Sequence, residues 1–187
     1  MQQTTSFTAM TEGTPEQYAT IARLTEAHKQ AELADNVLNL LRAMRGPQLG
    51  YAIDRYDHSL QSATRALRDE ADEETVVCAL LHDIGDTIAP DNHSQVAAAI
   101  LRPYIGDKNH WIILHHGLFQ GYYYYDKVGK DPDVRERHRD HPYFDDCVRF
   151  CERWDQCAFD PDYPSLPLEH FEPMVRRLFA RKPFYFD

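Results

Sequence analysis

The most constraining feature of the sequence is a His-Asp pair, His82-Asp83, placed directly after the apolar run 76–81. Such a run is typical of a helix in a protein core, so the pair is predicted to enter the core with it. An ionised carboxylate there is costly unless a partner neutralises it, and a metal ion does this well. The structural alternative is that His82 caps the helix and Asp83 begins a turn before Gly85. The pair alone does not decide between the two.

The composition is that of an ordinary soluble globular protein, with 43% hydrophobic and 27% charged residues in a chain of 187. This length predicts one domain. No uncharged apolar stretch reaches the roughly 18 residues of a membrane helix, and the N-terminus lacks signal-peptide features, so no membrane association and a cytoplasmic location are expected. The net charge of −10 argues against a nucleic-acid partner. The four cysteines contain no C-x-x-C pair and are predicted to be core thiols rather than metal ligands.

Helical periodicity and capping residues predict an all-α protein, with no convincing β-strand and no internal repeat. Residues 1–13 are predicted to be a flexible arm, and residues 14–187 a single domain with a metal-binding core at about 48–160. Thr14, Pro15 and Gln17 resemble a capping box at the start of a long first helix, which Gly46-Pro47 ends. The other predicted segments are helices at about 56–68, 72–84, 91–103, 107–119, 143–159 and 168–181, the last interrupted near Pro173, and a charged loop at 127–140.

Histidines and aspartates next to these helices form a candidate metal site, because a helical bundle can bring such side chains to one interior point. Imidazole and carboxylate together suit iron, manganese or zinc better than magnesium or calcium. Six ligand groups exceed the need of one catalytic metal, whereas two metals sharing Asp83 would use them all. Any one histidine is more often a hydrogen-bonded core or surface residue than a ligand. The candidates are His58, His82, Asp83, His93, His115 or His116, and Asp155.

The order of these residues, H…HD…H…H…D, resembles the HD-domain superfamily of helical metalloproteins, over roughly residues 48–160. Most members are phosphohydrolases. A smaller branch, which includes myo-inositol oxygenase and phosphonate-cleaving oxygenases, holds a mixed-valent diiron centre. The additional His93 and the segments 57–61 and 115–123 resemble this branch more closely.

The resemblance implies two iron ions, Fe(II) and Fe(III), with O₂ as cosubstrate. His58, His82, Asp83 and Asp155 would hold one iron. Asp83 would bridge to a second iron held by His93 and His115. His115 is preferred to His116 because it directly follows the apolar pair Ile113-Leu114, as the last histidine of the family does, and His116 would then point toward substrate. Asp57 is a candidate to orient His58.

Two departures from the branch bear on the substrate. Relatives often carry lysine or histidine where this chain has Asp86, and an acidic group there would suit a substrate with a cationic end. Relatives can also close the site with a tyrosine and a glutamate, and this chain offers only Tyr51 as a comparable group. Rings of Tyr122 to Tyr125, Phe119 and Trp154 could contact a quaternary ammonium. The candidate substrate-facing residues are Asp86, His116, Gln120, Tyr51, Gln61, Tyr123 and Lys127, and the candidate phosphonate-binding cations are Lys127, Arg135, Arg137 and Arg149.

The function implied by the resemblance is O₂-dependent cleavage of the C–P bond of a small α-hydroxyphosphonate. A trimethylammonium end, with glycine betaine and phosphate as products, is favoured over the amino analogue. The competing hypothesis is a metal-dependent phosphohydrolase acting on a phosphate ester or a nucleotide. In both cases the expected partner is a small molecule, with neither nucleic acid nor membrane involved.

Overall fold

The computed structural model describes residues 4–184, and within that range it contains helices, 3₁₀ turns and loops but no β-strand. The predicted all-α fold is therefore confirmed. The first three residues of the predicted arm and the last three of the predicted domain lie outside the described range. The α-helices are α1 (Pro15–Ala43), α2 (Arg55–Arg68), α3 (Glu73–Leu81), α4 (His93–Leu101), α5 (Asp107–Gln120), α6 (Phe144–Phe150) and α7 (Leu168–Phe179).

The capping box predicted for α1 is present. The backbone N–H of Gln17 donates to Thr14 Oγ1 (3.3 Å), and the backbone N–H of Thr14 donates to Gln17 Oε1 (2.9 Å). Residues 22–28 of this helix are exposed, whereas Val37, Leu38 and Leu41 near its end are buried. Only the C-terminal part of α1 therefore belongs to the core.

The centre of the fold is α3, which is apolar on all sides from Val76 onward and is contacted by α2, α5 and α7. Its N-terminus is capped by Asp72, whose side chain accepts from the backbone N–H of Thr75 (2.8 Å). Residues 76–81 are at most 1% exposed. The helix ends at Leu81, so His82 occupies the C-cap position and Asp83 lies in the following turn. The capping interpretation is thus correct, and the same position also brings both side chains into the core.

Two glycines allow the helices around this turn to approach one another. A Cβ on Gly85 would lie 2.7 Å from the carbonyl oxygen of His93, at the start of α4. A Cβ on Gly117 in α5 would lie 2.9 Å from Ser94 Oγ and 3.5 Å from His93 Nε2. Larger residues at these positions would push α4 away from the centre of the molecule.

The C-terminal third departs from the sequence prediction in two places. The helix predicted over 143–159 is α6 followed by a π-helical turn, Cys151–Asp155, and then irregular chain. The last helix is not interrupted at Pro173, because α7 continues through it. The carbonyl left without a donor by the proline is that of Glu169, an exposed residue that water can reach. The predicted charged loop contains a 3₁₀ helix, Pro132–His138.

Ion pairs fasten α7 to the rest of the bundle. Arg177 and Arg181 pair with Glu73 and Glu74 at the start of α3 (2.6 and 2.5 Å).

Across the described part of the chain, none of the helices combines the length and the apolar character that a membrane crossing requires.

Removal of a core ring should measure how much α7 contributes. Phe171 is fully buried in α7, so Phe171→Ala should lower the free energy of unfolding by about 3–5 kcal/mol through lost burial and a residual cavity. Urea denaturation provides the measurement. Leu24→Ala, on the exposed part of α1, should change it by less than about 0.5 kcal/mol. Equal losses in the two variants would contradict this assignment of the core.

Candidate metal centre

Side chains from four helices and one turn converge behind the C-terminus of α3. His58 lies in the first turn of α2, His93 is the first residue of α4, and Asp155 closes the π-helical turn. His82 and Asp83 follow α3 directly. All of the predicted ligands are therefore brought together except His115, the one predicted on α5.

The first cluster is formed by His58, His82 and Asp155, all of which are buried. His58 Nε2 lies 3.1 Å from His82 Nε2 and 3.3 Å from Asp155 Oδ1. His82 Nε2 lies 3.7 Å from the same oxygen. Asp83 Oδ2 completes the group at 3.6 Å from His58 Nε2 and 3.5 Å from His82 Nε2.

The second cluster is built on the other oxygen of the same carboxylate. Asp83 Oδ1 lies 3.2 Å from His116 Nε2 and 3.4 Å from His93 Nε2. The two oxygens of Asp83 thus face two different pairs of imidazoles. This is the arrangement that a bridging carboxylate requires.

All four imidazoles are oriented in the same way, by a hydrogen bond from Nδ1 to a backbone carbonyl. This bond places the hydrogen on Nδ1 and leaves the Nε2 lone pair directed at the cluster, as in metal-ligating histidines. The sequence prediction that Asp57 orients His58 is therefore wrong, because the Nδ1 of His58 bonds to a backbone carbonyl instead. The accepting carbonyls are those of Ala158 for His58 (2.9 Å), Ala79 for His82 (2.8 Å), Pro90 for His93 (3.0 Å) and Ile113 for His116 (2.7 Å).

This donor set fits a metal ion. With hydrogens on Nδ1, the facing Nε2 atoms of His58 and His82 would present lone pairs to each other and to carboxylates. Asp155 Oδ2 is also buried without a hydrogen-bond partner among the described residues. A cation placed among these atoms removes the repulsion and satisfies the oxygen. Imidazole with carboxylate is suited to iron, manganese or zinc.

Protonation is the alternative to a cation in the metal-free protein. Burial alone would lower the pKa of His82, but Asp83 and Asp155 outweigh burial and raise it to about 9. Burial alone would raise the pKa of Asp83 and of Asp155, but His82 and His58 outweigh it and hold both pKa values below the usual range. The cluster therefore attracts positive charge, either protons or metal.

The choice of His115 over His116 is wrong. His116 is 2% exposed and faces Asp83. His115 lies on another side of α5, with its ring 4.5 Å from that of Trp111 and 4.8 Å from that of His138. Burial and the neighbouring His138 lower the pKa of His115 to about 4. The apolar pair before His115 does not set the phase of the helix.

A cavity of about 410 Å³ opens onto the second cluster. Asp83, His93, His116 and Asp155 line it, whereas His58 and His82 do not. The two histidines of the first cluster are therefore closed off, whereas the second cluster is accessible to a small molecule. Open coordination positions are the mark of a catalytic rather than a structural metal site.

Aromatic rings form much of the remaining wall: Tyr51, Tyr123, Tyr124 and Phe159. Phe159, not singled out from sequence, stacks on both His58 and Tyr51, with ring centroids 4.4 and 5.1 Å apart. The other predicted rings lie elsewhere. Phe119 packs in the core against Phe144, and the indole N–H of Trp154 donates to Asp69 Oδ2 (2.6 Å).

Of the predicted substrate-facing residues, Tyr51, Gln120, Tyr123 and His116 line the cavity, the last as part of the metal cluster. The prediction for Gln61 is wrong, because its amide is engaged on both sides by the backbone of Asp160 (2.8 and 3.2 Å). Lys127 does not line the cavity, and its ammonium donates to the carbonyl of Tyr123 (2.8 Å).

Asp86 does not offer an unpaired negative charge to a substrate. Its Oδ2 lies 3.0 Å from Nε of Arg55, and its Oδ1 lies 3.8 Å from Nδ1 of His93. Asp86 is also absent from the cavity wall. Its charge therefore no longer supports a cationic substrate.

The candidate cations Lys127, Arg135, Arg137 and Arg149 do not line the cavity, whereas Arg55 does. Sequence reasoning missed Arg55, although a signal was present. Arg55 lies three residues before His58 on α2, and residues three apart share a helix face.

These observations define a helical protein with buried His/Asp clusters able to hold metal ions. The family model that matches the chain is that of the HD domain, over residues 55–160. The match covers more than half of the 187 residues, so the chain belongs to the HD-domain family. No curated protein matches it. Family and clusters together support a metal-dependent enzyme of the HD type.

The two neighbouring histidines of α5 allow a matched test of the second cluster. His116→Ala should reduce bound metal from two equivalents per chain to about one, because it removes one of the three donors of the accessible cluster. His115→Ala should retain the full amount. Metal analysis after iron loading and desalting provides the measurement, and loss in the His115 variant alone would contradict the assignment.

A pH dependence is expected for the chain stripped of metal. The raised pKa of His82 contributes stability that is complete below the unfolded value of 6.5 and is lost as the pH rises toward about 9. The thermal midpoint of unfolding in EDTA should therefore decrease as the pH is raised from 6.5 to about 9. Zinc at saturation should abolish the fall, because the metal replaces the proton on Nε2.

His115→Gln provides the control for that measurement. The pKa of His115 is lowered, so this residue affects stability only as the pH decreases below 6.5. The substitution should therefore leave the decrease of the thermal midpoint between pH 6.5 and 9 intact. A thermal midpoint in EDTA that is flat between pH 6.5 and 9 would contradict the charge pairing around His82.

Proposed function

We propose that this protein is a diiron oxygenase that uses O₂ to cleave the C–P bond of a small α-hydroxyphosphonate. The observation that carries the proposal is the placement of Asp83, whose two oxygens face two separate histidine pairs at 3.2–3.6 Å. Such a carboxylate favours two ions held close together, which the proposed chemistry needs.

His58, His82, Asp155 and Asp83 would hold one iron in the closed half of the centre. His93, His116 and the second oxygen of Asp83 would hold the other, next to the cavity. When bound, an Fe(II)/Fe(III) pair supplies the redox chemistry with O₂ that breaks the C–H and C–P bonds. The overall reaction balances without an added reductant, since substrate and one O₂ contain the atoms of one carboxylic acid and one phosphoric acid.

Gln120 is the residue best placed to orient the substrate hydroxyl. Its Nε2 donates to Asp155 Oδ1 (3.1 Å), which fixes the amide. Gln120 lines the cavity, and its Oε1 is buried without a hydrogen-bond partner among the described residues. The hydroxyl of a substrate next to the accessible cluster can donate a hydrogen bond to this oxygen. An unpaired buried acceptor is costly, so a ligand that pairs with it gains affinity.

The aromatic wall supports a quaternary ammonium at the other end of the substrate. Tyr123 and Tyr124 line the cavity, and a cation over such a ring gains about 0.5–2 kcal/mol. Asp86 gives no further support, since it pairs with Arg55. The proposed substrate is therefore an α-hydroxy-β-trimethylammonio-ethylphosphonate, with glycine betaine and phosphate as products.

A metal-dependent phosphohydrolase is the second candidate, favoured by the family match itself, because HD domains include many hydrolases. Its chemistry would use the same donors with redox-silent metals. The two candidates differ in their need for O₂ and for iron.

Iron-loaded protein should consume one O₂ for each phosphate released from the trimethylammonium substrate, measured with an oxygen electrode and a phosphate assay. Partial reduction should give the axial spin-resonance signal of a coupled Fe(II)/Fe(III) pair. The β-amino analogue, which cannot place methyl groups against the rings, should have a higher KM. Phosphate release from esters without oxygen, with zinc or manganese bound, would instead establish the hydrolase.

Asp83→Asn and Lys127→Gln are the matched variants for this assay. Asp83→Asn removes the bridging charge and should abolish both the coupled signal and O₂ consumption. Lys127→Gln changes an exposed cation outside the cavity and should leave both unchanged.

A further inference from the structure

We infer that Arg55 binds the tetrahedral anionic group of the substrate and that Asp86 is the residue that positions it. This inference rests on the proposed function only in placing a phosphonate or phosphate in the cavity, and both candidate activities require that. Among the described residues of the cavity wall, Arg55 carries the one guanidinium or ammonium group.

The surroundings of Arg55 fix its side chain at the edge of the centre. Its Nε lies 3.0 Å from Asp86 Oδ2, and its guanidinium carbon lies 4.9 Å from the centre of the Tyr51 ring and 6.0 Å from that of Phe159. Only 28% of the side chain is exposed. Packing on rings and one close ion pair leave little freedom for the guanidinium.

The terminal nitrogens of Arg55 remain available for a ligand. A guanidinium has five N–H donors, and those of Arg55 make no hydrogen bond to a described residue, because the contact of Nε with Asp86 is an ion pair. Nη1 lies 3.6 Å from Asp83 Oδ2, which is too long for a hydrogen bond. A planar pair of N–H groups matches the oxygens of a phosphonate or phosphate.

The charges around Arg55 favour this role once metals are bound. Asp83 then shares its charge with the cations and attracts the guanidinium less. Asp86 is outside both clusters and remains to hold Arg55 at the wall. A guanidinium beside a cationic centre is repelled by it unless an anion lies between them. An anion placed there contacts positive charge on both sides.

A structural explanation must be distinguished from this one, because Arg55 also links the start of α2 to the turn after Asp83. A purely structural residue would affect folding and metal content but not the preference for anions. The test therefore measures binding of an anion to protein whose fold and metal content are verified in each variant.

The experiment is a calorimetric titration of the full-length, zinc-loaded protein with methylphosphonate, which needs neither O₂ nor turnover. Arg55→Gln should raise the Kd by about 10-fold to 100-fold, the range that hydrogen bonds to a charged group supply. Arg55→Lys keeps the charge but loses the planar pair, so a smaller rise, about 3-fold to 10-fold, is expected. Asp86→Asn should raise the Kd by about 3-fold, because the guanidinium loses its anchor.

Arg149→Gln is the matched control, since it removes one positive charge outside the cavity, from a side chain that is 55% exposed. It should leave the Kd within about twofold, because surface charges are screened. Zinc content and thermal midpoint are measured for every variant. If Arg55→Gln fails to fold or to hold zinc, Arg55→Lys serves as the test.

An unchanged Kd in a folded, zinc-loaded Arg55 variant, or an equal rise in the Arg149 control, would overturn the inference. This outcome is separate from failure of the oxygenase proposal. A protein that hydrolyses esters without O₂ can still bind methylphosphonate through Arg55, and an O₂-consuming enzyme can bind it without Arg55.

Discussion

The structure depends on one buried carboxylate, that of Asp83. It is 4% exposed and follows a helix whose residues 76–81 are at most 1% exposed, so protein groups rather than bulk water must stabilise most of its charge. Its two oxygens instead face four imidazole nitrogens, two on each side, at 3.2–3.6 Å. Removing one partner of a buried charge lowers the stability of the fold more than replacing both groups by apolar residues does, because it leaves a charge without compensation. The four segments that supply these groups are therefore held in mutual register by a shared electrostatic requirement.

Backbone geometry makes this register possible. The histidines are oriented by backbone carbonyls, so their Nε2 atoms are aimed without help from other side chains. Asp155 is placed by a π-helical turn, in which the N–H of Gln156 donates to the carbonyl of Cys151 (2.9 Å). Asp69 fastens that turn through Arg153 and Trp154, at 2.8 and 2.6 Å. π-helical turns inside helices are frequent at functional sites, and here the turn carries a ligand candidate.

Much of this centre could be predicted from the order of residues along the chain, because helix periodicity and the apolar run already place His58, His82, Asp83, His93 and Asp155 near the core. The choice between two adjacent histidines required the phase of α5. The phase was present in the sequence, since His116 continues the buried spacing of Ile112 and Phe119, while His115 follows Trp111 by one turn. The pairing of Asp86 with Arg55 was not predictable, because it depends on how a turn and a helix 31 positions away meet in space. The π-helical turn also has no sequence signature of its own.

The charge balance of the centre limits what it can bind. Two metal ions of charge two or more, set against Asp83 and Asp155 with neutral imidazoles, leave at least two positive charges uncompensated. Asp86 does not reduce this excess, because Arg55 neutralises it. With two such metals bound, a cavity with this excess and a guanidinium at its edge would favour a dianion, and both a phosphate ester and a phosphonate meet that condition. Selection between hydrolysis and oxygenation would therefore come from the redox properties of the bound metal and from the α-hydroxyl of the phosphonate, with which the oxygen of Gln120 can pair. This positive charge would repel a trimethylammonium end, so in the proposed substrate that end would lie against the rings of Tyr123 and Tyr124 rather than against the metals or the guanidinium of Arg55.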